Sequence, residues 1–309
     1  MPETVLKPPA LSAGDTIGIA APGSSIGREP LLAGVAELER LGYRARYRED
    51  IFSEDTFFAG SHERRAEEFL EMLEDPEVRA VFCARGGCGC NYVAARLAAR
   101  PLPAPKIVMG YSDVTTLLAA LWQRAGWVTF HGPMVTVDFA KGPEHYDSAS
   151  LSRALAGAGG AWEAGRATRV LRPGAAEGRL LGGCLPMLAA TLGTPREVDW
   201  QDAIVFLEDV AAKPYQIDRM LFQLREAGKF RGVRGIVFGE MKDCLQHPEQ
   251  GYRLEDVVLR ALRGLEAPIA FGFRSGHTTR GNICLPMGVR ARLAEDRLEI
   301  LEDAVTGSQ

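Results

Sequence analysis

No apolar stretch in this 309-residue chain is long enough to span a bilayer, and the opening MPETVLKPPALSAGD lacks a cationic segment followed by an apolar run. The expectation is a cytoplasmic protein with no membrane partner. A basic stripe is missing too: 36 Lys and Arg are interspersed with 40 Asp and Glu, for a net charge of −4. Such a surface offers a phosphate backbone no track, which argues against nucleic acid as a partner. Cysteine is scarce, with six residues at positions 83, 88, 90, 184, 244 and 284. Without a secretion signal these are expected to be free thiols. Cys83, Cys88 and Cys90 lack paired C-x-x-C spacing and have no histidine beside them, so they do not suggest a metal site. No organic cofactor is implied either. Internal repeats and low-complexity segments are also absent, which excludes a solenoid or a disordered arm.

What is present is ordinary globular material, 46% hydrophobic and 25% charged, enough for one large domain or two moderate ones. The first half alternates short apolar runs with helical periodicity. TIGIAAP, YRARYR, VRAVFCAR, KIVMGY and VTFHGP read as strands; LLAGVAELERLG, SHERRAEEFLEMLED, NYVAARLAAR and DVTTLLAALWQRAG read as the helices between them. This rhythm implies an α/β fold whose N-terminal sheet is parallel, with helices on both faces and ligand loops at the carboxyl ends of the strands. Gly, Ala and Pro with weak periodicity then suggest a connection. The division is residues 1–145, a linker over 146–175, and residues 176–309 as a second unit that mixes strands and helices less regularly.

Ser112 stands in KIVMGYSDVTTLL, where a strand run meets a helical one. A hydroxyl at such a turn suits a nucleophile, because N–H groups of the next helix can bind a developing oxyanion. Ser and Asp are also preferred helix N-caps, and the local sequence by itself favours that reading for Ser112 or Asp113. The α/β-hydrolase elbow G-x-S-x-G does not fit, since Val114 holds its last position. ARGGCGC, residues 84–90, is a second candidate, a glycine-rich turn able to approach an anion. It matches neither G-x-G-x-x-G nor the lysine-bearing phosphate loop. A non-catalytic anion or nucleotide sensor built on this turn remains the reading from another class.

His277 lies in the polar loop RSGHTTRGN between APIAFGF and ICLPMG, where a rigid scaffold holds an accessible imidazole. His62 and His247 sit in polar, helix-edge surroundings, and His131 and His145 near prolines; none is excluded. Glu208 closes the apolar run AIVFL, a costly place for a carboxylate without a partner. A histidine or a nearby arginine would serve, and Asp209 is an alternative acid.

TIGIAAPGSS, ARGGCGCNYVAARL, GYSDVTTLL, GRLLGGCLPMLAATLGTP, FLEDVAAKPYQIDRML and PIAFGFRSGHTTRGNICLPMG occur in this order along the chain. With them, almost the whole chain resembles the LD-carboxypeptidases of bacterial cell-wall recycling and the related microcin C immunity peptidases. The resemblance implies a serine peptidase with Ser112 as nucleophile, His277 as base and Glu208 as the acid orienting it. It implies a smaller, β-rich C-terminal α/β domain, a triad assembled between the two domains, and a homodimer. It further implies an oxyanion hole from the backbone N–H groups of Gly87, with Gly86 as the near alternative, and of Asp113. The substrate implied is a murein tetrapeptide cut before its terminal D-alanine, the alternative being an aminoacyl or peptidyl nucleotide. A free substrate carboxylate would need a cation, for which Arg85, Arg274 and Arg280 are candidates. Cys88 and Cys184 stand where the family usually has an aromatic residue and an asparagine, departures that bear on substrate contacts.

Overall fold

A computed structural model describes residues 2, 4–157, 159–245, 249 and 251–307. In the first half, β1 (Thr16–Ala20), α1 (Arg28–Arg40), β2 (Arg44–Arg46), α2 (His62–Glu74), β3 (Val78–Cys83), α3 (Cys90–Leu97), β4 (Ile107–Gly110), α4 (Thr115–Ala125) and β5 (Thr129–His131) follow the expected alternation. These five strands pair in parallel in the order β5-β4-β3-β1-β2. Successive side chains leave opposite faces of a strand. Ile17, Ile19, Ala80 and Phe82 therefore join one core, and Ala20, Val81 and Cys83 another. The second core is closed by α2, α3 and α4 through Phe69, Leu73, Val93, Leu97, Leu117 and Leu121. On the other face, α1 contributes Leu31 and Leu38. A parallel sheet needs such cover on both sides.

The stretch 146–175 differs from the expected linker. It carries α5 (Ser148–Ala156), whose Asp147 cap accepts from the Ser150 N–H, then β6 (Trp162–Arg166) and β7 (Arg169–Arg172), and runs into β8 (Ala175–Cys184). The chain continues through α6 (Leu185–Ala190), β9 (Ala203–Glu208), α7 (Pro214–Glu226), β10 (Gly235–Gly239), α8 (Leu254–Ala261), β11 (Ile269–Phe273), β12 (Leu285–Met287), β13 (Arg290–Ala294) and β14 (Arg297–Ile300). All but β12 of these C-terminal strands form a mixed eight-stranded sheet, β6-β14-β13-β8-β9-β10-β11-β7. Its centre, β8 to β11, is parallel. It is the wider of the two sheets. β6 and β7, neighbours in sequence, form its opposite edges. Edge strands are half-exposed and carry little apolar signal, so WEAGR and RVLR did not read as strands.

β12, from the run read only as a flank of the histidine loop, leaves this sheet and pairs antiparallel with β5, Leu285 opposite His131. It covers the edge that the parallel strands would otherwise expose. The first sheet thus has six strands, the last supplied by the C-terminal half. One apolar core runs through both sheets, joining Ile19, Phe82 and Phe130 to Ile204, Phe206 and Phe273. Among the described residues no helix is long and apolar enough to cross a membrane. All six cysteines are unpaired.

Candidate active site

Ser112 does not cap a helix. Residues 112–114 form one 3₁₀ turn, and the N-cap position of α4 falls on Val114 without a side-chain cap. Ser112 instead holds φ at +62°, a left-handed conformation that a serine keeps only when its surroundings impose it. Three contacts impose it here. The Val114 N–H donates to the carbonyl of buried Tyr111 at 3.2 Å. Asp113 Oδ2 accepts the N–H of Cys90, the first residue of α3, at 2.9 Å. Gly86 packs so closely that an added Cβ would lie 3.0 Å from Ser112 Cβ and 3.1 Å from Asp113 N. Asp113 therefore anchors the turn with its side chain, and burial pushes its carboxyl above the usual range against the pull of that N–H.

The glycine-rich turn after β3 lies against the serine. The Ser24 N–H donates to the Gly86 carbonyl at 3.0 Å, and the Cys88 N–H donates to Ser24 Oγ at 3.2 Å. Gly87 holds φ at +98°, and a Cβ there would fall 2.2 Å from Ser24 Oγ, so only glycine fits. Its own N–H donates to no protein acceptor among the described residues. Arg65, wholly buried, ties down the far side by donating to Pro22 O at 2.5 Å and Gly89 O at 2.9 Å.

Glu208 ends β9, fully buried, at the centre of the second sheet. One of its oxygens, Oε2, accepts both the backbone N–H of His277 at 2.9 Å and the ring N–H at Nδ1 at 2.7 Å. That bond leaves the Nε2 lone pair free to take a proton. Burial opposes ionisation of both groups. The His277 charge and hydrogen bonds nevertheless bring Glu208 below its usual range, and Glu208 correspondingly raises His277. Asp209, the alternative acid, accepts from the Val210 N–H at 2.8 Å and is pushed up to about 6 by burial. The carboxylate bonded to His277 is that of Glu208.

The loop bearing His277 is clamped. Gly276 holds φ at +83°, and a Cβ there would strike Glu208 Cδ at 2.5 Å. Buried Asn282 accepts the Gly276 N–H at 2.9 Å and donates to Asp138 at 3.5 Å. Ser275 Oγ donates to the Ile283 carbonyl at 2.8 Å. Asn282 stood in the quoted loop RSGHTTRGN, yet an asparagine in a polar loop carries no sequence mark of burial. Asp138 gave no signal at all.

The two halves meet at Tyr111, whose ring sits edge-on to His277 with centroids 5.0 Å apart, one residue before the serine. The Cys184 N–H at the end of β8 donates to Thr115 Oγ1 at 3.1 Å, a second link. Among the described residues no hydrogen bond joins Ser112 to His277. Of the candidate cations, Arg85 is exposed beside the glycine-rich turn with one long bond to Ser25 O at 3.4 Å. Arg280 is exposed on the His277 loop, and Arg274 lies 4.0 Å from Asp147. His62 stacks on Tyr92 with ring centroids 3.8 Å apart. The His145 carbonyl accepts the Asn282 N–H at 3.0 Å. His247 lies outside the described residues.

A serine-bearing turn on one sheet facing a carboxylate–imidazole pair on another is an arrangement of hydrolytic enzymes. Sequence comparison agrees: the chain belongs to the LD-carboxypeptidase family. The family's N-terminal domain matches residues 17–132 and its C-terminal domain residues 177–293. Over 97% of this chain and 95% of the relative, it is 35% identical to a probable murein peptide carboxypeptidase of Bacillus subtilis. The microcin C7 self-immunity protein MccF of Escherichia coli is 28% identical, covering 94% of this chain and 93% of that protein. A solved muramoyltetrapeptide carboxypeptidase from Oxalobacter formigenes superposes with a TM-score of 0.80 at 27% identity, covering 94% of this chain and all of that one.

Proposed function

We propose that this protein is a serine LD-carboxypeptidase that removes the terminal D-alanine from murein tetrapeptides. The observation that carries the reading is the buried Glu208–His277 pair, 2.7 Å between Oε2 and Nδ1, brought against the Ser112 turn through Tyr111. His277 Nε2 takes the Ser112 proton as the hydroxyl attacks the amide carbonyl, and Glu208 steadies the imidazolium that forms. The Gly87 and Asp113 N–H groups receive the oxyanion. His277 returns the proton to the departing D-alanine amine, and water, deprotonated in turn by His277, releases the acyl-enzyme.

Exposed Arg85 and Arg280 supply a cation from each half for the free carboxylate. Six unpaired thiols suit the reducing cytoplasm, where recycled wall peptides are processed. The family resemblance supports a homodimer, which sedimentation would check. Purified protein incubated with L,D-tetrapeptide and followed by mass spectrometry should release D-alanine. Ser112→Ala protein that still released it at the wild-type rate would end the serine mechanism.

A second reading, hydrolysis of aminoacyl or peptidyl nucleotides, draws on one observation. Phe57 and Tyr92 are exposed around Phe58, against which Gly89 of the glycine-rich turn packs. Such rings are a platform on which an adenine can stack. Comparing turnover of a tetrapeptide with that of an aspartyl sulfamoyl adenosine separates the two.

A further inference from the structure

His131 ends β5 at the junction of the two sheets, wholly enclosed, with neither ring nitrogen bonded to a protein group among the described residues. A buried imidazole left in that state is costly, and an apolar residue would fill the space more cheaply. Its ring centroid lies 5.2 Å from that of Phe206 and 6.0 Å from that of Tyr111. Phe206 and Glu208 are two apart on β9, so their side chains leave the same face of the strand. That face carries Phe206 into the core shared with the first sheet. Glu208 commits Oε2 to both His277 bonds, while its other oxygen, Oε1, is buried and also without a protein partner. Two enclosed polar groups are thus left without protein partners at one junction, close enough for the Glu208 charge to act on His131.

We propose that His131 is a positioning residue for the acid: its neutral ring donates an N–H through one enclosed water to Glu208 Oε1, and thereby keeps Oε2 on His277. The inference rests on the reading of Glu208 as the acid that orients the base. A neutral donor suits this task. An arginine in the same place would cancel the negative charge that raises His277, whereas an uncharged imidazole fixes the carboxylate and leaves its charge to act. Burial holds His131 down at about 4, so it stays neutral wherever His277 works. Glu208 and His277 are the charged partners acting on it, from β9 and from the loop after β11, and Tyr111 faces it from the end of β4.

The test compares His131→Phe with His131→Gln after both are shown to fold by circular dichroism, together with imidazole NMR of the wild-type protein. His131→Phe should lower kcat about tenfold with KM unchanged, and should move the acid limb of kcat/KM to lower pH, because a Glu208 free to turn Oε2 off the ring no longer raises His277 as far. His131→Gln, which keeps an N–H donor, should recover most of the loss. In wild-type protein the ring N–H of His131 should be protected from exchange and should shift in Glu208→Gln. A His131→Phe enzyme with wild-type kcat and limb overturns the proposal, as does a Gln variant no better than Phe, or a ring signal indifferent to Glu208→Gln. The NMR measurement needs neither substrate nor a stable variant. A wild-type enzyme that leaves tetrapeptides intact therefore defeats the functional reading without touching this one.

Discussion

The two sheets contribute to the site in different physical terms. The first offers backbone: a serine held at φ +62°, a glycine-rich turn whose Gly87 N–H has no protein acceptor among the described residues, and a carboxylate, Asp113, spent on anchoring. The second offers charge: a buried carboxylate and an imidazole that shift each other's ionisation. The first half should therefore respond to added atoms but not to pH, and the second to both. The two halves are joined by a shared core to which Phe130 and Phe206 both belong.

The largest effect tests whether both halves serve one reaction. Ser112→Ala should cost about 10⁴- to 10⁶-fold in kcat, and adding His277→Ala should cost little more, because residues acting as a unit are not additive. Multiplying losses in a single-turnover assay would mean that they belong to different steps.

Glu208→Gln comes next, with a fall of about 10³- to 10⁴-fold in kcat. In wild-type protein, kcat/KM should fall as pH drops through a His277 pKa lying above the ordinary imidazole value, since the base must be neutral. Glu208→Gln removes the group that raises it, so the limb should move to lower pH. Stability follows the same pair. The His277 contribution is complete below its unfolded pKa and is lost as pH rises through the raised folded one. That of Glu208 is present above its unfolded pKa and is lost as pH falls through the lowered folded one. Denaturant titrations across pH should show both slopes in wild type and flatten in Glu208→Gln.

Two alanines sharpen the contrast. Gly87→Ala places a Cβ 2.2 Å from Ser24 Oγ, and Gly276→Ala places one 2.5 Å from Glu208 Cδ. Each should destabilise by about 1–3 kcal/mol and lower kcat by about 10- to 10³-fold. Only Gly276→Ala should also move the acid limb; a shift in Gly87→Ala would break the division between backbone and charge. Smallest are Arg85→Ala and Arg280→Ala. Loss of the arginine that holds the substrate carboxylate should raise KM about tenfold, close to the low end for a charged hydrogen bond, and leave kcat alone. If neither variant changes KM, both arginines are excluded from that role.

Much of the first sheet was legible because a parallel sheet buried on both faces needs nearly continuous apolar strands, and TIGIA and IVMG show them plainly. The strands at the edges of the second sheet were not. β6 and β7 are half-exposed, and their glycine, arginine and glutamate read as a linker. β12 was hidden for another reason: three apolar residues after a loop do not announce which sheet they will join.

The sequence by itself determined the family, the βαβ alternation and the identities of Ser112, Glu208 and His277 as candidates, because residue type, order and periodicity are local properties. Tertiary structure decided what local chemistry left open. It took Ser112 out of a helix cap and put it at positive φ. It placed the Glu208 carboxylate, rather than that of Asp209, 2.7 Å from the His277 imidazole. It also enclosed His131 beside that carboxylate. Each of these depends on distances between segments far apart in the chain, and only the packing of the two sheets on one core sets those distances.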